Sequence, residues 1–412
     1  MKQTDYAAPT GLRDHELAQS VTTASSPTTL EPGARKLSVE FTGSGSEYFR
    51  IWIVNLLLTV VTVGFYFPWA KVRRLRYFYG NTLIDGEPLG FHGNAFKMFK
   101  GFVIVVASMA IYSVSGQVSQ IAGFIAFLIF AGLWPALLKS SMQFRMANTS
   151  WRGLRFSFGG STKDAYRACL PLFIPSLLIL GLYLIAPELQ HVDPAALPGV
   201  RWMIVFGLVM LCTVVISPWL MWNLKRYQHS HYQFSTERTR FNVGAISYFG
   251  LSLKTVGVML LASIVVLIIA AVLAVIAAIF LGWLIEGSVG PILAAIAEAI
   301  FIGSLFSIIN SYIVARFQNL VWNGTRSEHV KFASALRARD MAGLTLKNWI
   351  LMMLTLGMYW PFATVAMTRM RLLAVQLESS VNPATLVIDA SAVEGQAVGE
   401  AAGDFFGFDI GL

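Results

Sequence analysis

Glu298 stands about eight residues inside an apolar run, ILAAIAEAIFIGS, where an ionised side chain costs about 3 kcal/mol on insertion scales. A group so placed needs a cavity, water or a partner. The chemistry open to it is proton or cation binding, and the plain alternative is a protonated or hydrogen-bonded structural carboxyl. Asn55 and Asn348 are also polar groups within apolar segments. Interhelical hydrogen bonding, worth about 0.6 kcal/mol, is the simplest use for each. Arg73, Arg74 and Arg76 sit beside Trp69, Tyr77 and Tyr79, and Arg145, Arg152, Arg155 and Arg316 repeat the basic pattern further along. Guanidinium forks bind phosphate oxygens in pairs, and aromatic rings favour the headgroup zone. These clusters therefore suit anionic phospholipid headgroups or a small anionic solute, converging on one basic mouth.

Of the histidines, His229 and His231 alone are closely spaced, and no carboxylate pair accompanies them, so no metal site is expected. The phosphate-cradling G-x-x-x-x-G-K-[ST], the zinc-binding H-E-x-x-H and the nucleophile elbow G-x-S-x-G are all missing from the sequence. No enzyme and no cofactor are expected. Cys169 and Cys212 lie in apolar runs without ligand spacing and read as small buried hydrophobes.

The elements that must carry these residues are membrane helices. The chain of 412 residues is 56% hydrophobic and 13% charged, far from a soluble balance. About 20 apolar residues suffice to cross a bilayer, and six runs qualify, near 102–115, 119–138, 168–186, 202–222, 255–284 and 291–314. Twenty-three of the 31 Lys and Arg residues fall in four stretches, 71–100, 139–167, 222–254 and 315–347. Basic residues concentrate in cytoplasmic loops, so all four are expected inside. The net charge of +9 is then membrane-facing and lipid-attracting, and no nucleic-acid partner is expected.

Two shorter apolar segments, 50–66 and 349–362, echo one another. NLLLTVVTVGFYFPWAKVRRLR and NWILMMLTLGMYWPFATVAMTR share Asn, Thr, Gly, Tyr, Pro, Ala, Val and Arg at a constant offset, which relates 50–76 to 343–369 by duplication. Gly64 with Pro68, and Gly357 with Pro361, would break each helix. Basic flanks on the returning side favour re-entrant or interfacial segments; the rival arrangement has both spanning, giving eight crossings. The small-residue ladder Ala295, Ala299, Gly303, Ser307 and Ser311 is expected to pack on the row Ala270, Ala274, Ala278 and Gly282 of the preceding helix. Alternating pieces LSVEFTGSG, LGFHG, LRFSFGG, TRFNVG and VKFAS predict short strands that could form a small sheet beneath the helices. The pairs Asn81-Thr82 and Asn148-Thr149, with Asn323-Gly324-Thr325, read as polar turns. Residues 1–36 are polar, with no cleavable signal peptide visible, and 379–412 are acidic with an apolar end, FFGFDIGL. Both are expected to be disordered around a helical membrane domain spanning 37–378.

The stretch EYFRIWIVNLLLTVVTVGFYFPWAKVRRLRYFYGNT, the later YIVARFQNLVWNGT and the closing FFGFDIGL together resemble the YjgN family of bacterial inner-membrane proteins. That resemblance implies an all-α polytopic fold in the bacterial cytoplasmic membrane and supplies no activity or site residue. On the residues themselves, the favoured function is a transporter or channel for a small, anionic solute. The alternative is a non-transport protein that organises lipid or an envelope partner.

Overall fold

The structure, a computed structural model, describes residues 35–185, 200–285 and 290–381. The predicted tails, apart from Arg35, Lys36 and 379–381, lie outside the described residues. Six helices are long and apolar enough to cross a membrane: Ala95–Val118, Ile121–Ala147, Thr162–Leu182, Trp202–His229, Ala245–Ile279 and Ala295–Asn323. Along them Ile111, Leu208, Leu260, Leu267 and Ile302 point outward, the inverse of a soluble fold and the surface that lipid requires. Cys212, expected to be buried, is exposed on this surface, whereas Cys169 is buried.

Among the described residues, twelve short strands are interleaved with the helices. β1 (Arg35–Leu37) and β2 (Val39–Phe41) precede α1 (Gly45–Val61) and α2 (Phe67–Gly80). β3 (Thr82–Ile84) and β4 (Glu87–Phe91) then lead to α3 (Ala95–Val118) and α4 (Gln120–Ala147). β5 (Thr149–Trp151) and β6 (Leu154–Phe158) precede α5 (Thr162–Cys169), a 3-10 turn, α6 (Ile174–Ile185) and α7 (Val200–His229). β7 (Tyr232–Phe234), β8 (Glu237–Arg238) and β9 (Arg240–Phe241) precede α8 (Ala245–Ile285) and α9 (Gly290–Asn323). β10 (Thr325–Arg326) and β11 (Val330–Ser334) lead to α10 (Ala338–Leu354) and α11 (Trp360–Leu373), and β12 (Val375–Ser379) follows.

Strand pairing shows how these pieces assemble. One sheet has the order β1-β12-β11-β10-β9, the other β2-β3-β4-β5-β6-β7-β8. Only Ser38 separates β1 from β2, and only Thr239 separates β8 from β9. The stretches 35–41 and 237–241 are therefore corner strands, each pairing first in one sheet and then in the other. The two sheets join at both corners into a closed barrel, which leaves no free edge for another chain to extend. The sequence anticipated a small sheet; the closed ring is the finding.

Each helical pair begins and ends on this ring. β2 pairs with β3 across α1–α2, and β11 with β12 across α10–α11. Both shorter segments therefore return to the side from which they start. They are helical hairpins of the re-entrant or interfacial kind, and the eight-crossing arrangement does not hold. The break is made by paired left-handed residues, Val63 with Gly64 and Leu356 with Gly357. The Thr before each closes the turn: Thr62 Oγ1 donates to Leu58 O at 2.7 Å and accepts from Tyr66 N at 2.9 Å. Thr355 does the same with Leu351 O and Tyr359 N. Pro68 and Pro361 do not break a helix. Each sits in the first turn of the second helix, where its missing N–H costs nothing. The T-x-G-x-Y-x-P pattern is thus the code of a helix-to-helix turn. The turns end in apolar tips, with Val63 87% and Leu356 94% exposed, suited to hydrocarbon.

The ring is drawn tight by two-residue turns. Asp85-Gly86 and Arg152-Gly153 join Ile84 to Glu87 and Trp151 to Leu154, and all four turn residues have positive φ. That is the type I′ geometry, whose twist matches paired strands. Asp85 then ties three strands together, accepting from Arg35 at 2.9 Å and from Arg152 at 2.8 Å.

Candidate functional site

Three of the five described helices that run into ring strands do so through the same device. Thr82, Thr149 and Thr325 open a strand while their hydroxyls donate back to Phe78 O, Arg145 O and Val321 O, four residues earlier. Asn81 and Asn148 likewise donate to Tyr77 O and Phe144 O. Orphan carbonyls at the helix ends are satisfied in this way, and the chain turns straight from helix into strand. The polar pairs expected to be turns are thus helix caps that begin strands β3, β5 and β10.

The barrel strands and the helix ends above them line a partly open cavity of about 300 Å³. Its walls come from strands all round the ring, with Leu37, Ile84, Leu89, Phe156, Phe234 and Leu377 among them. The helix ends form the roof, through Tyr79, Met142, Arg145, Met146, His229 and Trp322. An apolar cavity with a few convergent polar groups is the usual form of a small-molecule site. Polar groups lie both at the roof and along the wall. Arg145 Nε donates to Tyr79 Oη at 2.8 Å. Burial pushes the Tyr232 phenol up to about 12, despite the nearby Arg145 charge that pulls it down. His229 is 1% exposed, and its Nδ1 lies 3.1 Å from Thr325 Oγ1. At the wall, Glu237 Oε1 meets His329 Nδ1 at 2.6 Å and Oε2 accepts from His329 N at 3.2 Å. Burial opposes the Glu237 charge, yet the His329 and Ser327 bonds outweigh it and its pKa falls below the usual carboxylate value. The Glu237 carboxylate in turn raises His329.

The residues singled out from sequence are dispersed. Of the intramembrane polar and basic candidates, Arg145 lines the cavity, together with Tyr79 and His229. Arg73, Arg74, Arg76 and Arg316 are exposed. Arg73 lies over Tyr66, Arg74 over Phe78 and Arg316 over Tyr312, at 5.6–5.9 Å, and Arg76 donates to Gly93 O at 3.3 Å. Glu298 is exposed on the outer surface of α9, between exposed Ile296 and Ile300. It stands about 36 Å along that helix from Trp322 in the cavity roof. Helix α9 packs along α8 as expected, but part of its small-residue ladder, Gly303 and Ser311, turns towards α10. A Cβ on Gly303 would strike the Trp349 ring, and Ser311 Oγ donates to Thr345 at 3.0 Å. Ala274 and Ala278 of the expected partner row are exposed.

Asn55 and Asn348 are buried, but Asn55 Oδ1 and both amide atoms of Asn348 lack a partner among the described residues. Gly64 and Gly357 have open space around them and serve the turn through their φ of +90° and +87°. His229 and His231 do not act together: His231 Nδ1 donates to Tyr227 O at 2.7 Å, whereas His229 faces Thr325.

Six crossing helices standing on a closed strand ring define a polytopic helical membrane protein. The chain belongs to the family described as "Bacterial protein of unknown function (DUF898)", whose pattern matches residues 36–405. It is 30% identical over 191 residues to "Inner membrane protein YjgN" of Salmonella typhimurium, covering 44% of this chain and 47% of that protein. Identity is 29% over 182 residues to the protein of that name from Escherichia coli O157:H7, covering 42% and 45%. The matched stretch thus spans about half the length of these relatives. These likenesses place the chain in the inner membrane as a multi-pass protein. No solved structure matches it.

Proposed function

We propose that this chain is a non-transport membrane protein that holds a small apolar or amphipathic molecule inside its membrane-apposed barrel. The observation that carries this is the partly open apolar cavity of about 300 Å³, lined by helix ends and by strands from widely separated parts of the chain. A solute conduit has weaker support, because Glu298, the one carboxylate described within the apolar runs, is remote from that cavity and faces outward. The basic stretches flank the strands of the ring, and the bias of positive charge towards the cell interior supports a cytoplasmic position for the barrel. Exposed Arg73, Arg74, Arg76 and Arg316 at the junction of ring and helices suit anionic phospholipid headgroups. Matching left-handed turns at Val63-Gly64 and Leu356-Gly357 support an origin of the two hairpins by duplication.

The test is small-molecule extraction from purified protein, wild type beside a cavity-filled Leu377→Trp variant, followed by mass spectrometry. The reading expects an amphiphile that copurifies with wild type and is depleted in the variant. Identical extracts overturn it, and solute flux in proteoliposomes above that of protein-free vesicles would restore transport.

A further inference from the structure

His229 ends α7 inside the barrel roof, and its ring is packed against Tyr232, Phe241 and Trp322 with centroids 5.4–5.9 Å away. Its protonation pattern follows from a neighbour. Thr325 has one hydroxyl proton, and it is committed to Val321 O at 2.7 Å. Towards His229 the Thr325 oxygen can therefore only accept, so the hydrogen of the neutral imidazole lies on Nδ1. Nε2 is left as a bare lone pair. It is buried and has no hydrogen-bond partner, although nearly all buried polar atoms find one. His229 is one of the residues lining the cavity, which is the space nearest to this unpartnered atom.

We infer that the cavity takes a small neutral amphiphile bearing a hydroxyl group, whose O–H donates to His229 Nε2 while its apolar body fills the space between the strands. The inference rests on the cavity-binding reading above and adds the atom that recognises the ligand. A lone pair at this point repels a carboxylate or phosphate oxygen and accepts from an alcohol, which separates this ligand from the anions suited to the outer arginines. The apolar part is bounded by Leu37, Ile84, Leu89, Phe234 and Leu377. At the liquid share of about 30 Å³ per heavy atom, the volume holds on the order of ten such atoms. A medium-length alcohol fits; a whole two-chain phospholipid does not.

Equilibrium dialysis of the full chain in amphipol against 1-decanol and against its methyl ether tests the inference, with Leu377→Trp as the baseline for non-specific uptake. The two probes share an apolar chain, but only the alcohol can donate. Wild type is expected to bind the alcohol roughly five- to tenfold more tightly than the ether, the range for one hydrogen bond to an otherwise unsatisfied acceptor. His229→Phe is expected to erase that preference while still binding both, and His229→Gln, which keeps an acceptor, to restore part of it. Equal binding of both probes by wild type, above the Leu377→Trp baseline, overturns the role of His229 and leaves the cavity reading standing. An alcohol preference that survives in His229→Phe overturns it as well. Uptake of neither probe above the baseline overturns the cavity reading along with the inference. The comparison of probes on wild type needs no variant of His229 to fold.

Discussion

Replacing Asp85 by Asn removes one charge from a position that ties three strands, while keeping a residue type that tolerates the left-handed backbone observed there, φ 53°. The Asp85 side chain is 14% exposed and accepts from two guanidinium groups of unequal burial, Arg35 at 58% and Arg152 at 25% exposure. The outer pair is worth at most about 1 kcal/mol, because water and salt screen it. The inner pair weighs more. Arg152 Nε is already buried without a partner, and losing a hydrogen bond to a charged group costs about 1.5–3 kcal/mol. Asp85→Asn is therefore expected to destabilise by about 2–3 kcal/mol, and Arg35→Ala by less than about 1 kcal/mol. Reversible unfolding in mixed micelles measures both, and hydrogen exchange in β3–β6 localises the loss to the ring. Equal costs for the two variants would refute the reasoning. So would abolition of the Asp85→Asn deficit in about 0.5 M salt, where the Debye length is only a few ångströms, since screening removes exposed pairs first.

Gly64→Ala and Gly357→Ala should each cost about 1–2 kcal/mol in the same unfolding assay, because both glycines hold positive φ in open space. Gly207→Ala, in mid-helix with nothing within contact distance, should be neutral or stabilising. The Glu237–His329 pair predicts a pH optimum for ring stability. His329 is raised from 6.5, so its contribution is complete below that pH and fades as pH rises through the folded value. Glu237 is lowered from 4.5, so its contribution is complete above that pH and fades as pH falls through the folded value. Hydrogen-exchange protection of β8–β11 should peak between these limits, and His329→Gln should flatten the alkaline side; a profile the variant leaves unchanged rejects the pair.

The crossing helices were legible because an apolar run long enough to span is a property of local sequence alone. The strands were legible in part. LGFHG and LRFSFGG alternate with period two, whereas β3, β5 and β10 begin with polar Thr and run for only two or three residues. Their Asn and Thr looked like turns because the same side chains satisfy helix-end carbonyls and turn backbones. The signal that could have found them is the repeated placement of Thr after a basic, aromatic helix end. Ring closure had no local signature, since Arg35–Leu37 pairs with Leu377–Ser379 from the far end of the described chain. Glu298 drew attention through the cost of charge in hydrocarbon, but a helix buried in lipid is apolar all round. Its pattern does not tell inner face from outer. His229 was passed over because it was weighed as half of a metal pair, while its partner proved to be Thr325, 96 residues away.

Because ring order follows chain order, each helical pair can dock beside the one synthesised before it, and most pairings form between near neighbours. The exception is the clasp between β1 and β12, which cannot fasten until translation has passed the fifth pair of helices. Until that moment the nascent protein carries two raw β-edges at the membrane surface, each a template for the wrong chain. Final assembly thus waits for the last strand, and a ribosome that stops short of Val375 leaves a molecule already threaded through the bilayer yet open along one seam.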